Sequence, residues 1–108
     1  MNIEFRYMYR DMGNFKSYGE VIFGNQLNHE VKKIRKKILS MLGGDQIFRA
    51  SELKLPDLFF KNFPYDAELD HELHEFFKVS ETELPANDPA QRDIDDLLLE
   101  MEKHLPIV

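Results

Sequence analysis

The first ten residues alternate with a period of two. Ile3, Phe5, Tyr7 and Tyr9 fall on one face, and Asn2, Glu4, Arg6, Met8 and Arg10 fall on the other. This pattern predicts a half-buried β-strand over Met1–Arg10. Asp11-Met12-Gly13-Asn14 has turn chemistry, and Phe15–Phe23 reads as a second strand rich in aromatic and β-branched residues. The two are expected to form an antiparallel hairpin, with Gly19 marking a bulge. From Asn28 to Leu42 the period changes. Val31, Ile34, Ile38, Met41 and Leu42 make one apolar stripe of a helix capped by Asn28, with Glu30 in its first turn and Gly43-Gly44 as its stop.

Gln46–Ala50 reads as a short strand. Ser51–Pro64 carries Leu53, Leu55, Leu58, Phe59, Phe60 and Phe63, which need burial, while Pro56 and Pro64 break regular structure, so an irregular packed segment with one helical turn is expected. Asp66–Val79 fits two patterns. Leu69, Leu73, Phe76 and Phe77 suit a helix, while Leu73, Phe77 and Val79 suit a strand. The β-rich ending favours a turn to Leu69 followed by a strand over Glu72–Val79. Thr82–Asn87 reads as a loop. Asp88-Pro89, with Gln91 three residues past the cap, predicts a helix over 89–104 with Ile94, Leu97, Leu98, Met101 and Leu105 inward and Pro106 at its end. The order β-β-α-β-β-α predicts one α+β domain over residues 1–108. It is a two-layer sandwich with an antiparallel sheet of about four strands and both helices on one face. The predicted core is Ile3, Phe5, Tyr7, Val21, Phe23, Ile34, Ile38, Leu73, Phe77, Ile94, Leu97 and Leu98.

Composition narrows the chemistry. With no cysteine among 108 residues, disulfides, thiolate-held zinc, iron–sulfur clusters and thiol nucleophiles are excluded. No apolar run spans a membrane, and the opening Met1-Asn2-Ile3-Glu4 lacks a basic-then-apolar leader pattern, so a soluble cytoplasmic protein is expected. The net charge of −6 is divided: residues 1–65 stand at +4 and residues 66–108 at −10. That acidic half disfavours nucleic acid and favours a basic partner protein. The first helix carries Lys33, Lys36 and Lys37 outward, with Lys32 and Arg35 at the margins. This is either a solvated face or a docking surface for an acidic partner.

Three groups of residues are candidates for chemistry. The hairpin residues Arg6, Tyr7, Tyr9, Arg10, Asp11, Asn14 and Lys16 interleave aromatics with cations, as base- or phosphate-holding surfaces do. Packing of the tyrosines in the core accounts for the same pattern. Asp70-His71-Glu72-Leu73-His74-Glu75 is the only dense histidine–carboxylate run. Its histidines are three apart rather than at the His-Glu-x-x-His spacing, so a metal site of Asp70, His71, His74 and Glu75 is a weak alternative to a hydrogen-bonded strand entry. The serines lie in no Gly-x-Ser-x-Gly setting, and Gly43-Gly44 lacks the Lys-Ser/Thr of a phosphate loop. No cofactor is expected.

The run Tyr9-Arg10-Asp11-x-x-Asn14-Phe15-Lys16, followed by Gly19-Glu20-Val21-Ile22-Phe23 and by Asp70-His71-x-x-His74-Glu75-Phe76, resembles a small family of uncharacterised bacterial proteins. In that family a Trp often precedes the second histidine, where this chain has Leu73. The resemblance implies a bacterial cytoplasmic protein and brings no activity with it. The favoured reading is a non-enzymatic protein-binding module, such as an adaptor, an inhibitor or an immunity-type factor. It would use Asp93, Asp95, Asp96 and Glu100 on the last helix, with Tyr9, Arg10 and Asp11 at the hairpin end as the second choice. The alternative is a metal-assisted hydrolase or phosphodiesterase-like enzyme built on Asp70, His71, His74 and Glu75, with Arg6 or Arg10 holding an anionic substrate.

Overall fold

The structure, a computed structural model, describes residues 1–59 and 71–106. Its elements run β1 (Asn2–Arg10), β2 (Lys16–Phe23), α1 (Val31–Leu42), β3 (Ile47–Arg49), β4 (Leu73–Thr82) and α2 (Ile94–His104). All pairings are antiparallel and the strand order is β2-β1-β4-β3. The architecture is the α+β sheet with two helices that the pattern predicts. Ile3, Phe5 and Tyr7 of β1 share one core with Ile34, Ile38 and Leu42 of α1 and with Ile94, Leu97, Leu98 and Met101 of α2, so both helices cover the same sheet face. Phe5 sits at its centre, with ring centroids 5.5 Å from Phe76 and 5.7 Å from Tyr7.

Several boundaries move for physical reasons. Asn28 does not cap α1. It adopts a left-handed conformation (φ 54°) and closes a turn onto the Asn25 carbonyl, and Glu30 takes the N-cap position with no side-chain cap bond. The second helix begins at Ile94 rather than 89. Asp88-Pro89 forms a turn instead, closed by the Gln91 N–H on the Asp88 carbonyl, and Gln91 is left-handed (φ 54°). An Asp-Pro pair suits a turn as well as a helix start. The true cap is Asp93, which forms a reciprocal capping box with Asp96.

Gly19 is not a bulge, since it pairs in register with Tyr7. It is needed for close approach: a Cβ there would lie 2.6 Å from Leu58 Cδ2. The bulge is on β4. Arg6 opposes Lys78 while Tyr7 opposes Phe76, which leaves Phe77 as the extra residue. The shift turns His74, Phe76 and Val79 inward and leaves Phe77 49% exposed and Leu73 only half-buried, so those two predicted core positions are corrected. Ser51–Lys54 forms tight turns that bury Leu53 and Leu55, as the irregular reading anticipated. The readings that involve Phe60, Phe63, Pro64, Leu69 and Asp70 lie outside the described residues.

Candidate functional site

Most of the chemistry-bearing side chains singled out from the sequence are engaged by the fold itself. At the hairpin end, Asp11 accepts the Phe15 N–H through its carboxylate, and its carbonyl accepts from Asn14. Arg10 donates to Glu75 at 3.0 Å and to the Asn14 side chain. Tyr9 is buried and donates its hydroxyl to the His71 carbonyl at 2.9 Å. Tyr7 is likewise a core residue whose hydroxyl donates to the Pro56 carbonyl. Burial, with the charges of Asp57 and Glu20, pushes that hydroxyl well above the usual tyrosine range.

The histidine–carboxylate run is separated by the strand. His74 points into the core, where Nε2 accepts from the Leu58 N–H at 3.1 Å and Nδ1 lies 3.1 Å from the Glu72 carbonyl. These contacts define a neutral ring with its proton on Nδ1. Burial holds its pKa below the ordinary histidine value, against the Glu72 carbonyl and Asp57, which favour the charged form. Nε2 therefore fastens the 55–59 segment to β4, while Nδ1 is spent on the backbone just before the strand. His71 precedes the strand and accepts the Leu73 N–H, and Tyr9 packs against both imidazoles at 5.2 Å. Glu75 leaves the group for the opposite sheet face and Arg10. Among the described residues, no set of three or more His, Asp or Glu could hold a metal ion, and Asp70 is not among them.

The four acids of α2 are also engaged. Asp93 accepts from the Gln26 N–H at 2.9 Å and from Asp95 N–H, and Asp96 returns a bond to the Asp93 N–H. Asp95 spans both carboxylate oxygens onto His29 Nε2 at 3.0 and 3.1 Å. Glu100 meets Lys54 at 3.4 Å and His104 at 3.6 Å. Its partial burial opposes ionisation, but Lys54, Lys103 and His104 outweigh that and hold the carboxyl below the usual range.

Sequence periodicity misses two features. The first is a buried ion pair between Asp88 and Arg92. The guanidinium grips the carboxylate at 2.9 and 3.0 Å, donates to the carbonyls of Leu53 (2.7 Å) and Lys54 (3.1 Å), and lies 5.3 Å from the centre of the Phe23 ring. The Asp88 carboxylate also accepts the Arg92 backbone N–H at 2.9 Å. The only hint in the chain is the four-residue spacing of opposite charges. The pair borders a hollow of about 370 Å³ lined by Gly24, Gln26, Ala86, Gln91 and Asp93. Asp88, Arg92 and Asp93, its charged walls, are already hydrogen-bonded within the fold.

The second feature is the sheet face opposite α1 and α2, which no helix covers among the described residues. After β4 the chain passes the end of β1, where Asn2 donates to the Leu84 carbonyl. It then reaches the outer edge of β2, where Asn87 and Asp88 bond the Ile22 backbone. Ile22 is buried at that end. Toward the hairpin the face stays open. Tyr18 of β2 and Phe77 of β4 are 50% and 49% exposed, yet their rings meet edge to face at 5.6 Å across the central strand. Met8 pairs with Tyr18 in register, and its face is shared by Arg6. Arg6 Nε is buried with no hydrogen-bond partner among the described residues, and its nearest carboxylate, Glu4, is 3.8 Å away. Met12 and Phe15 are more than two-thirds exposed at the tip of the same hairpin. The parity of Met8 along β1 was the available signal for this face; the bulge that brings Phe77 onto it leaves none.

Among the described residues, no helix is long and apolar enough to cross a membrane. No known protein family, curated protein or solved structure matches the chain.

Proposed function

We propose that this protein is a non-enzymatic protein-binding module, an adaptor, inhibitor or immunity-type factor, that docks its partner on the open face of the sheet. The observation that carries this reading is the exposed Tyr18–Phe77 pair, which bridges β1 on the face that also carries Met8 and Arg6. Exposed aromatics that hold each other in place lose little conformational freedom on binding, and Tyr and Arg recur among the residues that dominate interface energy. The carboxylates of Asp93, Asp95, Asp96 and Glu100 serve as caps and internal ion pairs, which supports assigning the docking role to the sheet face instead. Tyr9, Arg10 and Asp11 support the hairpin from which that face is built.

Affinity capture from the native host with the wild-type chain, compared with Tyr18→Ala/Phe77→Ala and with Asp95→Lys/Asp96→Lys/Glu100→Lys, tests the assignment. The aromatic variant is expected to lose the partner while keeping its melting temperature. Retention by the aromatic variant together with loss by the charge-reversed one would return the role to α2 and overturn the sheet-face reading. Calorimetry with zinc, manganese and nickel tests the metal-assisted hydrolase: binding tighter than millimolar would reopen it.

A further inference from the structure

The outward face of α1 presents five cations within six residues: Lys32, Lys33, Arg35, Lys36 and Lys37, all exposed. None of them forms an ion pair among the described residues, because the acids of α2 that could have neutralised them serve elsewhere. Among the described residues, Asp95 is the only acid lining the small groove between α1 and α2, alongside Lys33 and Lys37, and it is held by His29.

The arrangement works against the helix that carries it. Lys32 and Lys33 lie in the first turn, at the positive end of the helix dipole. That turn contains no acid, and the last turn contains no base. Like charges recur at four-residue spacing (Lys32 with Lys36, Lys33 with Lys37) and at three-residue spacing (Lys32 with Arg35, Lys33 with Lys36). Each of these placements destabilises a helix. The N-cap residue Glu30 makes no side-chain cap bond, so its charge beside the dipole is the one offset at that end among the described residues. Solubility does not require this: removing the five cations from the chain's −6 leaves −11, ample charge to keep copies apart. Departures from local rules of this kind mark positions shaped by function.

We infer that the basic face of α1 is a second docking surface, one that takes a carboxylate-rich segment of a partner protein. The cation-bearing stretch is only about 8 Å long at 1.5 Å per residue, which suits a short run of acidic side chains. A nucleic acid, continuing at one charge per ~1.7 Å of duplex, would run beyond it onto a molecule that is otherwise strongly negative. The surface also lacks exposed aromatics on which bases could stack. It lies on the helix layer, behind the sheet from Tyr18 and Phe77, and the inference stands whether or not the open sheet face binds.

The test uses the full chain and a fluorescein-labelled poly-glutamate peptide of the same length as α1, with a short DNA duplex and phosphatidylserine vesicles as comparators. The wild-type protein is expected to bind the peptide more tightly than the duplex or the vesicles at roughly 0.15 M salt, where screening sets in over about 8 Å. Lys32→Glu/Lys36→Glu is expected to weaken peptide binding at least tenfold while melting at or above the wild-type temperature. Tyr18→Ala/Phe77→Ala is expected to leave peptide binding unchanged. Equal binding by the charge-reversed variant, a lower melting temperature for it, or tighter binding of the duplex or the vesicles would each overturn the inference.

Discussion

Replacing Arg92 with alanine should destabilise the protein and also invert part of its response to acid. The substitution removes both bonds to the Asp88 carboxylate and the bonds to the Leu53 and Lys54 carbonyls. What remains is a carboxylate with a 1% exposed side chain and its backbone N–H contact, next to two carbonyls that have lost their donor. Breaking a buried pair from one side costs about 3–5 kcal/mol. For a domain of this size that corresponds to a melting temperature lower by roughly 12–30 °C. The pH response follows from the sign of the Asp88 shift. Burial raises its pKa, but Arg92 outweighs burial and leaves the carboxyl below its ordinary value of 3.8. In the wild type the ionised group therefore contributes stability above that value, and the contribution is lost as pH falls through the depressed folded-state pKa. Without Arg92 burial prevails, the carboxyl titrates above its unfolded value, and protonation relieves the penalty. Urea denaturation at pH 7 and about pH 5 should show the gap between variant and wild type narrowing with acid. A loss below about 1 kcal/mol, or a gap that stays constant with pH, would refute the account of a paired carboxylate held in the core.

Two further substitutions test neighbouring parts of the fold. His74→Phe keeps an aromatic ring in the core but strands the Leu58 N–H and the Glu72 carbonyl, for an expected loss of about 1–3 kcal/mol. Because the folded-state pKa of His74 is depressed, its contribution is present above about 6.5 and is lost as pH falls through the folded value. The variant should accordingly lose the wild type's acid sensitivity just below 6.5, and an unchanged slope there would place the titrating group elsewhere. Asp93→Ala removes the cap of α2 and the acceptor of the Gln26 N–H. It should cost about 1–2 kcal/mol by urea denaturation, while Asp93→Asn retains most of the stability. Equal losses for the two would argue against capping.

The parts of this fold legible in the sequence are those where one side chain meets one layer. β1 was readable throughout because its alternation is uninterrupted, and the apolar stripe of α1 identified Ile34 and Ile38 without ambiguity. β4 was legible as a strand but not in phase. A bulge changes which parity faces inward, and nothing at Phe77 announces that it is the extra residue. The start of α2 was misplaced because Asp-Pro serves turns and helix caps alike, and only the distant Leu53 and Lys54 carbonyls explain why Arg92 stays out of the helix. The candidate site was the least legible part. A run of acids along a helix looks the same whether it faces solvent or supplies a cap to Gln26, a partner to His29 and a partner to Lys54.

The central place of β1 has a consequence for the order of assembly. Its β2 partner follows after a five-residue turn, whereas its β4 partners lie 65 to 80 positions away along the chain. Closing the longer loop costs roughly 2 kcal/mol more in chain entropy than closing the hairpin. The hairpin can therefore form early and alone, with the inner edge of β1 bare and its most regular alternating sequence unpaired. Until β4 arrives, that edge accepts any extended segment, including the β1 of another molecule. Refolding yield should consequently fall as protein concentration rises, and a cut between β3 and β4 that slows their return should leave the hairpin half as the aggregating species. The strand that organises the finished sheet is thus the one most exposed to mispairing while the sheet is incomplete.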